Sequence, residues 1–86
     1  MQTVARAKAW IYSYLKTYPI HPSQTIVKDS ESTQELTIKL FIENDQELED
    51  FCFKYAKDIK VLEPETLKNQ IIQRLKEGLK NYGIKV

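Results

Sequence analysis

One cysteine and one histidine are present in 86 residues. A lone cysteine cannot close an internal disulfide, and with a single histidine it cannot complete a tetrahedral zinc site, so packing must hold the chain together. The two glycines, Gly78 and Gly83, lie far from any strand-to-helix turn and cannot form a phosphate loop. No apolar run approaches the roughly 18–20 residues needed to cross a bilayer, and the amino terminus lacks the apolar stretch of a secretory signal. Membrane insertion and export are therefore not expected, and a reducing, cytoplasmic setting fits best. What is present is ordinary for a soluble fold: 42% hydrophobic, 10% aromatic and 29% charged residues. A chain this short has room for a single domain, residues 1–86.

The net charge of +1 conceals a segregation along the chain. Residues 1–28 hold four basic and no acidic side chains, residues 29–58 three basic and nine acidic, and residues 59–86 six basic and three acidic. Phosphate binding needs a concentrated basic face, which this chain supplies only if folding brings its two basic ends to one side.

Val4, Ala7, Ile11, Leu15 and Tyr18 recur at three or four residues, which predicts a helix over 4–18. Trp10 and Tyr14 lie beside that stripe, where they either widen the buried face or leave an aromatic edge for a partner; burial is the expectation. Pro19 and Pro22 end the helix near Thr17, because each lacks an amide donor and biases its preceding residue towards extended conformations. Thr25, Ile26 and Val27 are β-branched and lead through a polar stretch, 29–34, into the alternation of Leu36, Ile38, Leu40 and Ile42. Together these predict an antiparallel hairpin with that apolar set turned inwards. Phe41 then points to the other face, as a candidate contact with another domain.

Asn44 and Glu47 have the spacing of a capping box, predicting a second helix with Leu48, Phe51, Cys52 and Tyr55 on its buried stripe. Cys52 is expected to be structural, a small buried hydrophobe without a basic neighbour to activate it. A short strand follows at Ile59, Val61 and Leu62. Pro64 suits the first position of a final long helix carrying Leu67, Ile71, Leu75, Leu79 and Tyr82. Gly83 falls where a left-handed C-cap is expected, with Ile84 available for the accompanying apolar contact.

The predicted order is helix, strand, strand, helix, strand, helix, an α+β arrangement with an antiparallel sheet. One further strand in front would complete the ferredoxin-like βαββαβ motif, with a long C-terminal helix added. That first strand is central to the sheet, and its loss would leave unpaired backbone groups. The expectation is a sheet lacking its first strand, the place being taken by residues 1–5, by residues 84–86, or by another copy of the chain.

Little points to catalysis, metal or cofactor. His21 has no partner identifiable from sequence that would tune it for acid–base work. Asp45, Glu47, Glu49 and Asp50 cluster at a helix start, where carboxylates complement the dipole, and they lack EF-hand spacing. The chain is not expected to be an enzyme.

Two stretches are more distinctive. Pro19-Ile20-His21-Pro22-Ser23-Gln24 resembles the P-L-H-x-S-Q segment of the C-terminal extension (WCX) domain of WYL-domain bacterial transcriptional regulators. Lys60-Val61-Leu62-Glu63-Pro64-Glu65-Thr66-Leu67-Lys68 resembles that domain's V-x-V-L-x-P-x-x-L segment, and order and spacing also agree from the first helix to Tyr82. The resemblance implies one part of a larger regulator, whose winged helix-turn-helix binds DNA and whose WYL domain senses a ligand. It further implies a non-catalytic regulatory or oligomerisation module packed on the WYL domain of the same chain or on a second subunit, with DNA reached only through the helix-turn-helix. Leu62 and Leu67 are explained by packing and Pro64 by helix initiation. His21, Ser23 and Gln24 leave polar chemistry to explain, and with Phe41 they are the candidate ligand or interface residues. The alternative is a free-standing ferredoxin-like module that binds a small ligand or an oligonucleotide through its sheet.

Overall fold

A computed structural model describes residues 2–42 and 46–86. Seven elements follow in order: β1 (Gln2–Lys8), α1 (Trp10–Thr17), β2 (Thr25–Ser30), β3 (Glu35–Phe41), α2 (Gln46–Lys54), β4 (Ile59–Glu63) and α3 (Glu65–Asn81). The strands form one antiparallel sheet in the order β2-β3-β1-β4. All three helices pack on one face. The α+β class and the hairpin agree with the expectation, as do the inward turn of Leu36, Ile38, Leu40 and Ile42 and the outward turn of Phe41.

The amino-terminal expectation is corrected. Residues 2–8 are a strand, and the predicted helix begins only at Trp10. The sheet therefore does not lack its first strand: of the three occupants considered for the central place the amino-terminal segment takes it, β1 pairing with β3 on one side and β4 on the other. Its alternation is real but muted, because the inward residues are Thr3, Ala5 and Ala7, all buried. Small side chains suit this position, since α1 packs directly over β1. The break between strand and helix falls at Ala9, whose φ of 55° and ψ of −139° turn the chain without glycine or proline.

The core lies between the sheet and the helices. Ile11, Tyr12 and Leu15 of α1, Leu48 and Cys52 of α2, and Leu67 and Ile71 of α3 meet the inner residues of β1, β3 and β4. Each fully buried Leu or Ile contributes about 1.5–3 kcal/mol of transfer free energy. Trp10 and Tyr14, expected to be buried, are 51% and 42% exposed. With α1 starting at Trp10, its eight residues offer the sheet only one face, and positions 10, 14 and 18 run along the neighbouring one.

Only the first half of the stripe on α3 is buried. The helix spans 17 residues, about 25 Å at 1.5 Å per residue, whereas the five residues of β4 beside it reach about 17 Å. Its last turns overhang, and the stripe beyond Ile71, made of Ile72, Leu75, Leu79 and Tyr82, is exposed. Pro64 stands at the N-cap, one position earlier than predicted. The expected C-cap is present: Gly83 (φ 79°) donates to the Lys80 carbonyl and Ile84 to the Leu79 carbonyl, the paired bonds of a Schellman motif. The proposed Asn44 cap of α2 lies outside the described residues.

Candidate functional site

The 19–24 segment is tied to its surroundings by its own polar side chains. Gln24 Oε1 accepts the Ile20 N–H at 3.0 Å, and its Nε2 donates to the Leu15 carbonyl at 3.0 Å. One amide thereby closes the loop and serves a carbonyl left over at the end of α1. Ser23 Oγ accepts the Phe41 N–H at 2.9 Å and lies 3.1 Å from the Phe41 carbonyl, to which it donates. His21 Nδ1 accepts the Ser23 N–H at 3.1 Å and sits 2.8 Å from Ser23 Oγ. The structure thus brings His21, Ser23 and Gln24 together, with their hydrogen bonds directed into the protein. Pro19 and Pro22 flank the loop on its exposed side; Leu62 is half-buried and Leu67 buried.

Phe41 is 54% exposed on the sheet face that no helix covers, its ring 5.8 Å from Lys39 Nζ. The register places Arg6, Lys8, Lys28, Lys39 and Lys60 on this same face. The acidic groups among them are Glu35, 3.8 Å from Arg6 Nε, and Glu63. Folding therefore does bring basic residues from both ends of the chain to one side. Where that side meets α3, a groove of about 450 Å³ runs past β4. Arg6, Lys8, Lys57, Lys60 and Lys68 surround it, and Ile72 and Leu75 of the overhanging helix contribute apolar surface.

A second open surface lies on the helical layer. Tyr18, Tyr14, Trp10, Tyr55 and Phe51 form a continuous row, with successive ring centroids 5.3, 5.7, 5.1 and 4.9 Å apart, three of the four contacts edge-on. Such contacts are favourable in themselves, and they leave Trp10, Tyr14 and Tyr18 facing solvent. The sequence signal for this row was the i, i+4 spacing of Trp10, Tyr14 and Tyr18. What sequence could not show is that Tyr55 and Phe51, on another helix, continue it.

Charged clusters elsewhere hold elements together. Glu49 and Asp50, at the acidic start of α2, each receive a 2.9 Å bond from Arg74 Nη1 of α3, whose guanidinium stacks 4.2 Å from the Phe53 ring. The Gln46 amide and then Arg74 lower the Asp50 pKa. Tyr12 donates to Asp29, and Lys16 Nζ lies 3.0 Å from the same carboxylate, tying α1 to the edge strand β2. Both bonds lower the Asp29 pKa, while the pKa values of Tyr12 and Lys16 rise, each chiefly through its bond to Asp29. Burial pushes the Cys52 thiol up to about 12, so it is protonated at neutral pH and a poor nucleophile. Among the described residues, no three His, Cys, Asp or Glu side chains gather where they could hold a metal ion, and no helix is long and apolar enough to cross a membrane.

These features define a two-layer α+β domain whose distinctive polar motif serves its own architecture and whose open surfaces are aromatic on one layer and basic on the other. The chain belongs to the WCX domain family, whose model matches residues 2–79. No curated protein matches it.

Proposed function

We propose that this chain is the regulatory, non-catalytic extension of a WYL-type transcriptional regulator. In this reading it is one part of a larger polypeptide, packs against the WYL domain or a second subunit, and passes the sensed state to a separate DNA-binding domain. The observation that carries the reading is the family match across residues 2–79. The element order and the strand order β2-β3-β1-β4 support assigning the sheet to the ferredoxin-like class, with α3 as the addition. The row from Tyr18 to Phe51 supports a contact role, since aromatic side chains are enriched at interface centres and single soluble domains seldom leave contiguous apolar surface uncovered.

The first test is the coding sequence upstream of Met1, where the reading expects a helix-turn-helix followed by a WYL domain; a stop codon immediately before Met1 refutes it. The second is titration of that upstream segment, as a separate polypeptide, into this chain. Trp10, the single tryptophan, lies in the middle of the row and reports directly. Saturable binding with a blue shift of its emission is expected, and unchanged emission at saturating concentration counts against the reading.

A further inference from the structure

The overhang of α3 presents a pattern that the fold does not use. Ile72, Leu75, Leu79 and Tyr82 are all about 40% exposed or more, and their spacing of three, four and three residues is the seam by which one helix packs along another. The seam is about 15 Å long at 1.5 Å per residue. Gly78 lies beside it, and a Cβ added there would meet nothing within 4 Å, so the space against this part of the helix is open.

Basic side chains border the seam on both sides. Lys76 and Lys80 each stand one residue after a seam position and are exposed, while Glu77 lies on the opposite side of the helix. Across the groove stand Arg6, Lys8, Lys57 and Lys60. Lys68 continues the seam towards β4 and is paired with Glu65 at 3.6 Å. The groove's own carboxylates, Glu35 and Asp58, are too few to balance this rim.

We infer that the overhang of α3 and the adjoining groove are a docking site for an acidic amphipathic helix of about three turns, with its apolar stripe on the seam and its carboxylates facing the lysines on either flank. The inference rests on this surface alone and not on the regulatory reading above. A second copy of the chain would bring the same lysines to face each other along paired α3 helices, which charge disfavours. A single-stranded nucleic acid would meet the positive rim, but no aromatic side chain lines the groove and the seam offers a single ring, Tyr82, on which to stack a base.

The test uses the 86-residue chain and fluorescein-labelled peptides of about 18 residues, with leucine at the a and d positions and either glutamate or lysine at e and g. Anisotropy titration near physiological salt should show saturable binding of the glutamate peptide, at least about tenfold tighter than the lysine peptide. Replacing Lys60, Lys76 and Lys80 with glutamate, all at exposed positions, should reverse that preference without altering the far-ultraviolet circular dichroism. Leu79→Asp should abolish binding. Equal binding of the two peptides, no binding, or a preference unmoved by the charge reversal would overturn the inference. So would displacement of the glutamate peptide by a single-stranded oligonucleotide at matched salt, or a dimer of the chain that Leu79→Asp dissociates.

Discussion

Replacing Gln24 with alanine separates an architectural role from a ligand-binding one. The side chain makes two hydrogen bonds of 3.0 Å, accepting from Ile20 N–H and donating to the Leu15 carbonyl, and both are partly buried. A typical intramolecular hydrogen bond contributes about 0.5–1.5 kcal/mol net, and a stranded buried group costs about 1–3 kcal/mol. With two partners only partly shielded from water, Gln24→Ala should cost about 2 kcal/mol. Against a total of about 0.05–0.15 kcal/mol per residue, that is a large share of the stability. It corresponds to a fall of about 10 °C in Tm for a domain of this size. The assay is urea unfolding followed by circular dichroism, where the midpoint should fall at constant slope. Gln24→Met, which keeps the length and loses both bonds, should behave similarly. Gln24→Glu should retain the bond from Ile20 N–H but place an acceptor against the Leu15 carbonyl, and so should not rescue. If alanine and methionine both change stability by less than about 0.5 kcal/mol, within the range of ordinary surface substitutions, the loop is not held by this amide and the polar motif must serve something outside the chain.

Gly78→Ala should stabilise the isolated chain by up to about 1 kcal/mol, because the site is helical and the added methyl meets no neighbour; thermal unfolding would reveal a loss instead if the space were filled. Ala9→Gly should also stabilise, by about 1 kcal/mol, since φ 55° strains an L-residue and not glycine, and the same thermal measurement would contradict this if Tm fell. Cys52 should resist a thiol reagent in the native state and react fully in denaturant; rapid native labelling would contradict its burial. The Asp29 carboxyl titrates below its ordinary 3.8 in the folded state, so its contribution is fully present above that pH and is lost as pH falls through the lowered value. Tyr12 and Lys16 titrate above their ordinary 10.0 and 10.5, so theirs are present below those values and are lost as pH rises beyond them. Asp29→Asn should therefore flatten both the acid and the alkaline limb of a stability–pH profile, and an unchanged profile would dissociate the cluster from stability.

Much of the fold was legible where side chains of contrasting character follow one period. The alternation from Leu36 to Ile42, the burial of Leu48 and Cys52 on one helical stripe and the glycine at position 83 each have one physical reading, and the structure agrees, although Phe51 and Tyr55 of that stripe are only half-buried. The amino terminus was misread because valine and alanines can satisfy two periods. Val4, Ala7, Ile11 and Leu15 mimic a helix, while Thr3, Ala5 and Ala7 alternate too weakly to compete. The junction at Ala9 carries no glycine or proline to mark it. For the candidate surfaces, the residue types were visible but not their assembly. The hydrogen bonds that anchor the loop run from Ser23 to Phe41 and from Gln24 to Leu15, residues outside the motif. The basic groove depends on β1 lying beside β4, which the misread helix concealed.

The Ser23 hydroxyl receives the amide proton of Phe41 and faces its carbonyl, and so fills the place that a whole peptide unit of a neighbouring strand would otherwise take. At this corner the ladder is stoppered by a single oxygen: a foreign strand seeking to zipper onto β3 beyond Thr25 finds both valences already spent. Removing that atom, by Ser23→Ala, would uncork an adhesive edge as well as loosen a loop, so its cost should register in how readily the protein clumps as well as in how readily it melts.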